Sequence, residues 1–324
     1  MTSRERVKRT LLFQGADRLP YDLPEPYGTD FFNIEMDPSP DSRPASGTDE
    51  WGAVWANIGV MQLGQVKEVP LKGWDDFASL RIPDIRDERR WRNVTGMRSR
   101  AGDKFILAKG ISLYERIHFL RGLDATWTDI YDSPGELTKL ISLLLDMNLY
   151  ALERFAREGA DGYFIPDDWG LQNTLMISPA AWRKIWKPFY RRLFSAVHDA
   201  GMFMFLHSCG YIVDILDDLI DIGLNAIHMD QQENMGLELL GKRFGGRLTF
   251  FSPVDIQKTM VTGGVDGIRA YCREMARLLG RPGGGFIPRW YTDPAGAGHT
   301  PESLETMCVE FLTLSRDHHP AVPE

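Results

Sequence analysis

The stretch Met202-Phe-Met-Phe-Leu-His207-Ser-Cys209-Gly210 places a histidine and a cysteine directly after an apolar run of strand length. Five successive apolar residues, preceded by Gly201, are typical of a strand that is buried on both faces in a parallel sheet. Positions i and i+2 of a strand point to the same side, so the side chains of His207 and Cys209 can converge. The sequence therefore predicts a central strand that ends at a candidate functional site.

Similar apolar segments alternate with helical patterns along the C-terminal two-thirds of the chain, and polar residues follow each segment. This alternation predicts a parallel sheet with helical crossovers, and about seven or eight such units favour an α/β fold of the (β/α)₈ TIM-barrel type. In barrels of this type the chemistry takes place at the carboxyl ends of the strands. Besides the opening stretch, the predicted strands cover residues 21–23, 105–110, 161–166, 225–229, 248–251 and 283–287.

Two proline-marked helices are predicted between these strands. Ser133 and Pro134 begin a long helix that runs to Gly159, because proline is favoured in the first turn. Another begins at Pro179 and contains Pro188, which predicts a break.

An irregular insertion is predicted over residues 31–70, where proline, glycine, aspartate and serine are frequent. We expect it to contain a short hairpin and to lie near the barrel mouth. A helical N-terminal extension precedes the first strand. A length of 324 residues suits a single barrel, so residues 1–324 are predicted to form one domain.

Composition excludes several classes of protein. A net charge of −8 argues against non-specific binding to nucleic acid. Three cysteines do not make a disulfide framework and fit a reducing compartment. Since no apolar run reaches membrane-spanning length, we expect a cytoplasmic protein that does not act at a membrane.

Imidazole nitrogen and thiolate sulfur are ligands that zinc favours, so His207 and Cys209 together predict a metal site. Asp230 and Glu233 follow the next strand, and either could supply an oxygen ligand. The structural alternative is that Cys209 fills a buried space and His207 bonds within a loop. The alternative role for Asp230 and Glu233 is to stabilise a helix N-terminus.

Asp167 and Asp168 follow another predicted strand, at residues 161–166. Adjacent side chains diverge, so we expect one carboxylate to face the pocket in a catalytic role and the other to cap a turn. A solvated turn is the alternative for both.

Aromatic residues also cluster at predicted strand ends and suggest a pocket for a flat or apolar substrate. Alternatively, they only close the top of the barrel. Arg289 is predicted either to bind an anionic group or to pair with a nearby acid. The aromatic residues are Tyr27, Trp169, Trp290 and Tyr291.

Short motifs spread over most of the chain carry a family resemblance. They are Arg4-Glu-Arg, Asp17-Arg-Leu-Pro20, Asp167-Asp168-Trp169-Gly170, Ile177-Ser178-Pro179, His207-Ser-Cys209-Gly210, Gln232, Asp255-Ile-Gln257 and Gly283-Gly-Gly285. Together they resemble the uroporphyrinogen decarboxylase superfamily. That resemblance also implies a (β/α)₈ barrel.

The superfamily divides by chemistry, and this chain resembles one branch more than the other. Decarboxylases carry an Arg-Gln-Ala-Gly-Arg stretch that binds substrate carboxylates, whereas Leu23-Pro-Glu-Pro-Tyr-Gly28 stands in that place here. The other branch comprises zinc methyltransferases with a His-x-Cys pair as metal ligands, which His207 and Cys209 match. Members that act on coenzyme M carry a further cysteine on the last strand, where this chain has Pro288 or its neighbours.

The resemblance thus implies a zinc-dependent methyltransferase that transfers a methyl group from a small methylated substrate to a corrinoid (cobalamin) on a partner protein. The predicted zinc ligands are His207, Cys209 and Glu233, with Gln232 as a substrate contact. Asp168 would orient the substrate or protonate the departing oxygen in an O-demethylation, and an aromatic methyl ether suits the aromatic residues. The alternatives are a decarboxylase acting on a small carboxylated substrate and a non-catalytic binding barrel. A homodimer is left open.

Overall fold

A curled parallel sheet forms the centre of the computed structural model, which describes residues 1–57, 59 and 64–317. The strands are β1 (Phe31–Ile34), β2 (Gly47–Thr48), β3 (Val54–Asn57), β4 (Gly64–Glu68), β5 (Phe105–Lys109), β6 (Gly162–Pro166), β7 (Phe203–His207), β8 (Ala226–His228), β9 (Thr249–Ser252) and β10 (Phe286–Pro288). Seven of them pair in parallel in the order β1-β5-β6-β7-β8-β9-β10.

Helices connect these strands on the outside of the sheet. They are α1 (Ser3–Leu11), α2 (Met97–Ala101), α3 (Glu115–Arg121), α4 (Leu123–Asp132), α5 (Pro134–Arg157), α6 (Pro179–Ile185), α7 (Lys187–Asp199), α8 (Val213–Asp221), α9 (Leu237–Phe244), α10 (Thr259–Thr262), α11 (Gly264–Leu279) and α12 (Pro301–Arg316). Pro134 begins α5, and the helix predicted from Pro179 is interrupted at Trp186, just before Pro188. Both predictions are confirmed.

The predicted α/β fold with a parallel sheet is confirmed, but the described residues form seven parallel strands and not a complete eight-stranded barrel. Residues 21–23, predicted as the first strand, make only isolated bridges from Asp22 to Arg289 and to Thr29. Pro20 and Pro24 bracket this segment and cannot donate backbone hydrogen bonds, which limits its pairing.

The insertion was predicted to begin at residue 31, which is too early in the chain. Its first residues form β1, which pairs in parallel with β5 and belongs to the main sheet. The segment was missed because the strand has four residues, of which only Phe31 is fully buried. The expected hairpin is present within a three-stranded antiparallel sheet of β2, β3 and β4.

Aromatic side chains fill the inside of the curled sheet. Phe31 of β1 stacks on Phe251 of β9 with ring centroids 5.0 Å apart, so strands from distant places in the sheet face each other. Val7 and Leu11 of α1 belong to the same buried cluster. Helix α1 therefore covers the amino ends of the strands and leaves the carboxyl ends for a site.

No helix in the described ranges has an apolar stretch that would cross a bilayer.

Buried ion pairs attach the insertion to the rest of the fold. Arg116 of α3 is fully buried, with Nη1 3.1 Å from Asp49 Oδ2 and Nη2 3.4 Å from Asp41 Oδ1. Both carboxylates belong to the insertion. Because removal of one partner leaves charge buried without compensation, this contact holds the insertion to α3 strongly.

Replacing Arg116 with alanine should lower the free energy of unfolding by about 3–5 kcal/mol, because two buried carboxylates lose their cation. Denaturant unfolding followed by circular dichroism measures the change. Arg157→Ala is the control, since Arg157 pairs with Glu153 on the exposed face of α5; it should change stability by no more than about 0.5 kcal/mol. Equal stability of the two variants would contradict this interpretation.

Candidate metal centre and its cavity

The end of β7 brings the His-x-Cys pair together. His207 is the last residue of the strand, and its Nε2 lies 3.4 Å from Cys209 Sγ. The two side chains therefore point to the same side, as their spacing predicts.

Asp168 joins this pair from the end of the neighbouring strand, β6. Its Oδ1 lies 3.2 Å from His207 Nε2 and accepts a 2.7 Å hydrogen bond from the backbone N–H of Cys209. One nitrogen, one sulfur and one oxygen thus form a compact group whose ligand atoms lie within 4.8 Å of one another. We call Asp168, His207 and Cys209 the metal-site triad.

The separations in the triad fit a tetrahedral zinc site. With Zn–S of about 2.3 Å and Zn–N of about 2.0 Å, tetrahedral geometry places the sulfur and nitrogen about 3.5 Å apart. Nitrogen and oxygen ligands at about 2.0–2.1 Å lie about 3.3–3.4 Å apart in the same geometry. The distances of 3.4 Å and 3.2 Å around His207 Nε2 agree with these values. Three protein ligands leave a fourth position open.

The electrostatics of the triad also suit a cation. Burial raises the pKa of the Cys209 thiol well above its usual range, and the carboxylates of Asp168 and Asp230 raise it further. Burial lowers the pKa of His207, but the same two carboxylates outweigh that effect and raise it overall. A metal ion would reverse the balance at Cys209, because a coordinated thiol is deprotonated.

A second group of potential ligands shares His207. His228 ends β8, and its ring centroid lies 4.4 Å from that of His207. Its Nε2 is 2.8 Å from Asp230 Oδ1, and His207, His228 and Asp230 form another set within 4.8 Å. Asp230 is one of the two oxygen ligands that the sequence offered.

Glu233, the predicted third zinc ligand, lies elsewhere. Its carboxylate accepts a hydrogen bond from Thr259 Oγ1 and lies 3.7 Å from Lys258 Nζ. It belongs to neither group of converging ligand atoms in the described part of the chain. Its position therefore gives no support to coordination, and Asp168 is the carboxylate that converges with His207 and Cys209.

The two consecutive aspartates have different roles. Asp167 is fully buried and accepts backbone hydrogen bonds from Leu113, Tyr114 and Glu115 at 2.7–3.1 Å. Burial raises its pKa to about 7 despite these bonds. It thus caps the start of α3 and does not line the cavity. The expectation that one aspartate faces the pocket and the other caps a turn agrees with this arrangement.

Three of the predicted substrate contacts lie away from the cavity. Trp169 is fully buried and stacks on Tyr114 with ring centroids 3.6 Å apart, so it belongs to the core. Gln232 is also buried, and its Nε2 donates to the carbonyls of Met229 and Pro253, both at 2.8 Å. Tyr27 packs against the core in a turn before β1. None of the three lines the cavity.

A cavity of about 780 Å³ lies at the carboxyl ends of the strands, within the usual size range of small-molecule sites. Arg289, Trp290 and Tyr291 line it, as predicted. The other lining residues are Asn33, Ile34, Glu35, Asp41, Ser42, Arg43, Pro44, Leu107, Lys109, Glu115, Phe164, Pro166, Asp168, His207, His228, Asp230 and Thr292.

Most of the positive charge in the cavity is already paired. Arg43 makes a two-pronged ion pair with Glu115 at 2.8 Å and 3.2 Å, and Lys109 Nζ lies 3.3 Å from Glu35. Arg289 has no ion-pair partner among the described residues and contacts His228 instead. Three cations among five carboxylates do not make a strongly cationic pocket for a substrate with many carboxylates.

The sequence match covers the strands that carry the metal-site triad. Residues 118–288 match the sequence profile of the uroporphyrinogen decarboxylase (URO-D) family. The chain belongs to this family. No curated protein sequence matches it.

One solved structure shows the same fold as this uroporphyrinogen decarboxylase family member. A methyltransferase from Methanosarcina mazei superposes with a TM-score of 0.71 at 16% identity, over 97% of this chain and 99% of that one. A B12-independent methionine synthase from Shewanella sp. W3-18-1 is more distant, with a TM-score of 0.46 at 12% identity over 68% of this chain and 64% of that one.

The cavity residues of this family member that the sequence did not single out include Arg43, Glu115 and His228. His228 had a usable signal, since it ends β8 as His207 ends β7, and the two are paired in register. Arg43 had none, because the insertion that carries it lacks a periodic pattern.

Close backbone contact between two loops positions the metal-site triad. Gly170 follows Asp168 and its N–H donates to the Cys209 carbonyl at 3.2 Å, while Tyr211 N–H donates to Leu171 at 2.8 Å. A Cβ atom on Gly170 would lie 2.4 Å from Tyr211 N and 2.6 Å from Cys209 O. Only glycine allows this approach.

Gly170→Ala should therefore force the two loops apart and lower the free energy of unfolding by about 1–3 kcal/mol, as overpacking does. Gly135→Ala is the matched control, because a Cβ there meets nothing within 4 Å. Chemical denaturation of both variants measures the difference. An unchanged midpoint for Gly170→Ala would refute the role of this contact.

Proposed function

We propose that the protein is a zinc-dependent methyltransferase that transfers a methyl group from a small methylated donor to a corrinoid on a partner protein. The convergence of His207 Nε2, Cys209 Sγ and Asp168 Oδ1 beside the cavity is the observation that carries this proposal. Membership of the uroporphyrinogen decarboxylase family supports it. The structure of similar fold from Methanosarcina mazei is named a methyltransferase, which agrees with the same chemistry.

The metal-site triad would hold the zinc ion. When bound, zinc supplies a Lewis acid at the heteroatom that bears the methyl group, and the reduced corrinoid supplies the nucleophile. Asp168 acts as a ligand in this proposal and not as the proton donor. Burial alone would raise its pKa, but His207 lowers it below the usual value, so the carboxyl group is ionised.

The cavity walls would bind and orient the methyl donor. Phe164, Trp290 and Tyr291 offer flat apolar surfaces that suit an aromatic ring and exclude water from the reacting group. An aromatic methyl ether is therefore the donor that we propose to test first. The corrinoid would approach from the cavity mouth at the carboxyl ends of the strands.

Decarboxylation of a substrate with several carboxylates is less well supported. Glu115 neutralises Arg43 and Glu35 neutralises Lys109, which leaves Arg289 to bind a substrate anion. A decarboxylase of this type would also act without zinc.

Zinc binding tests the metal assignment. Loss of an outer-shell partner typically weakens metal affinity about 10–100-fold. Replacing His207, Cys209 or Asp168 with alanine should weaken zinc affinity by more than this. Competition with a chromogenic chelator gives the affinity, and elemental analysis gives the stoichiometry. Glu233→Gln is the control and should bind zinc like the wild type. Loss of zinc from Glu233→Gln but not from Asp168→Ala would reverse the assignment of the third ligand.

Methyl transfer tests the reaction itself. Zinc-loaded protein, incubated with cobalamin reduced to Co(I) and an aromatic methyl ether such as a methoxybenzoate, should form methylcobalamin, visible in its absorption spectrum. Cys209→Ala should abolish this signal, because a zinc ligand is lost. Methanol, methylamines and methyl thioethers complete the donor panel. Full turnover by zinc-free protein would refute the proposed function.

A further inference from the structure

Arg289 differs from the other two cations that line the cavity. Arg43 is paired with Glu115, and Lys109 is paired with Glu35. The described residues offer the half-buried Arg289 side chain no carboxylate within ion-pair distance, and it contacts a carbonyl group, an imidazole ring and a phenyl ring instead. The carboxylate of Asp230 on the same wall is taken up by His228, whose Nε2 lies 2.8 Å away.

The guanidinium group of Arg289 is held in one place. Nε lies 3.2 Å from the Trp290 carbonyl oxygen, and Nη1 lies 3.4 Å from His228 Nδ1. Cζ lies 4.7 Å from the centre of the Phe251 ring, which is fully buried. The backbone N–H of Arg289 donates to Ser252 at 3.2 Å. A group that is ordered before its ligand arrives loses little conformational entropy on binding.

Most of the hydrogen-bonding capacity of this group faces no acceptor in the part of the chain that the structure describes. A guanidinium carries five N–H donors, and the contacts with Trp290 and His228 use at most two of them. Because Arg289 lines the cavity, the others are open to a molecule inside it. A carboxylate matches both the charge and the planar fork of the guanidinium, through two parallel N–H···O bonds.

The position of Arg289 relative to the metal-site triad suits an aromatic ring. The His228 ring contacts Arg289 on one side, and its centroid lies 4.4 Å from that of His207 on the other. A benzene ring is slightly wider than an imidazole ring, so two substituents on opposite sides of it can reach both places. Phe164 and Tyr291 add flat apolar surface to the cavity wall beside them.

We propose that the methyl donor is an aromatic acid, with its carboxylate bound by Arg289 and its methoxy group at the open position of the metal-site triad. This rests on the proposed methyltransferase function and names Arg289 as a residue that determines donor specificity. Methyl transfer breaks the carbon–oxygen bond and leaves its electron pair on the oxygen. The methyl group bonds to Co(I) through the electron pair of the cobalt, and the oxygen takes a proton from water to give a hydroxy acid.

The carboxylate lies far from the bond that breaks and keeps its charge throughout. Arg289 therefore binds the donor and the transition state equally well, which improves donor affinity without a gain in the rate of the bound complex. This separates Arg289 from the metal ligands, whose loss would slow the reaction itself.

Equilibrium binding of the demethylated product tests Arg289 without turnover. 4-Hydroxybenzoate should bind the zinc-loaded wild type about 10- to 100-fold more tightly than the neutral 4-hydroxybenzamide, because hydrogen bonds to a charged group are lost in the amide. Arg289→Met should remove this preference, with the same affinity for the amide as the wild type. Arg289→Lys keeps the charge but not the fork, and should restore part of the preference. Isothermal titration calorimetry measures these affinities.

Arg277→Met is the matched control, because Arg277 lies on the exposed face of α11. It should keep the full preference for the acid. Equal affinity of the wild type for acid and amide would overturn the proposal, as would an acid preference that persists in Arg289→Met.

Methyl transfer to cobalamin in the Co(I) state tests the same contact during the reaction. Arg289→Met should raise the KM for 4-methoxybenzoate about 10- to 100-fold and leave kcat nearly unchanged, since uniform binding is lost. A lower kcat with an unchanged KM would contradict the assigned role. Acid preference in a protein that binds no zinc or transfers no methyl group would instead refute the proposed function and leave Arg289 as a carboxylate site.

Discussion

The parallel register of β6, β7 and β8 is the constraint on which the site depends. Pro166 pairs with His207, and His207 pairs with His228, so the three strands end at the same level of the sheet. Parallel hydrogen bonding places residues from separate parts of the chain side by side without any local sequence signal. Asp168, His207 and His228 meet for this reason, and a change of register by one residue would turn each side chain to the other face.

Hydrogen bonds to the backbone then fix the positions of the loops that follow these strands. The Cys209 N–H group is held by Asp168, the Gly210 N–H group donates to Gln231 Oε1 at 2.9 Å, and Gly170 allows the two loops to touch. Three consecutive strand ends thus share one hydrogen-bonded network. Sites built in this way keep their geometry because each ligand is supported by a neighbour.

Much of this fold could be predicted from the sequence, because strands that are buried on both faces of a parallel sheet appear as short continuous apolar runs. The pattern failed at β1, which is short and half exposed, and at residues 21–23, where prolines limit pairing. In the site, the spacing of His207 and Cys209 determined their convergence. The sequence could not select the third residue of the metal-site triad, since Asp168, Asp230 and Glu233 all follow neighbouring strands and only side-chain direction separates them. Trp169 shows the same limit, because it lies next to Asp168 and yet points into the core.

The paired aspartates after β6 also connect this strand end to α3 and to the loop that carries Cys209. Asp167 holds the first turn of α3, Asp168 holds the Cys209 loop, and Glu115 in that first turn is joined to Arg43 of the insertion. A short series of polar contacts therefore connects the insertion through α3 to Asp168 of the metal-site triad. Any protein that bound at the cavity mouth would contact the insertion, so its binding would be coupled to the geometry of the metal-site triad.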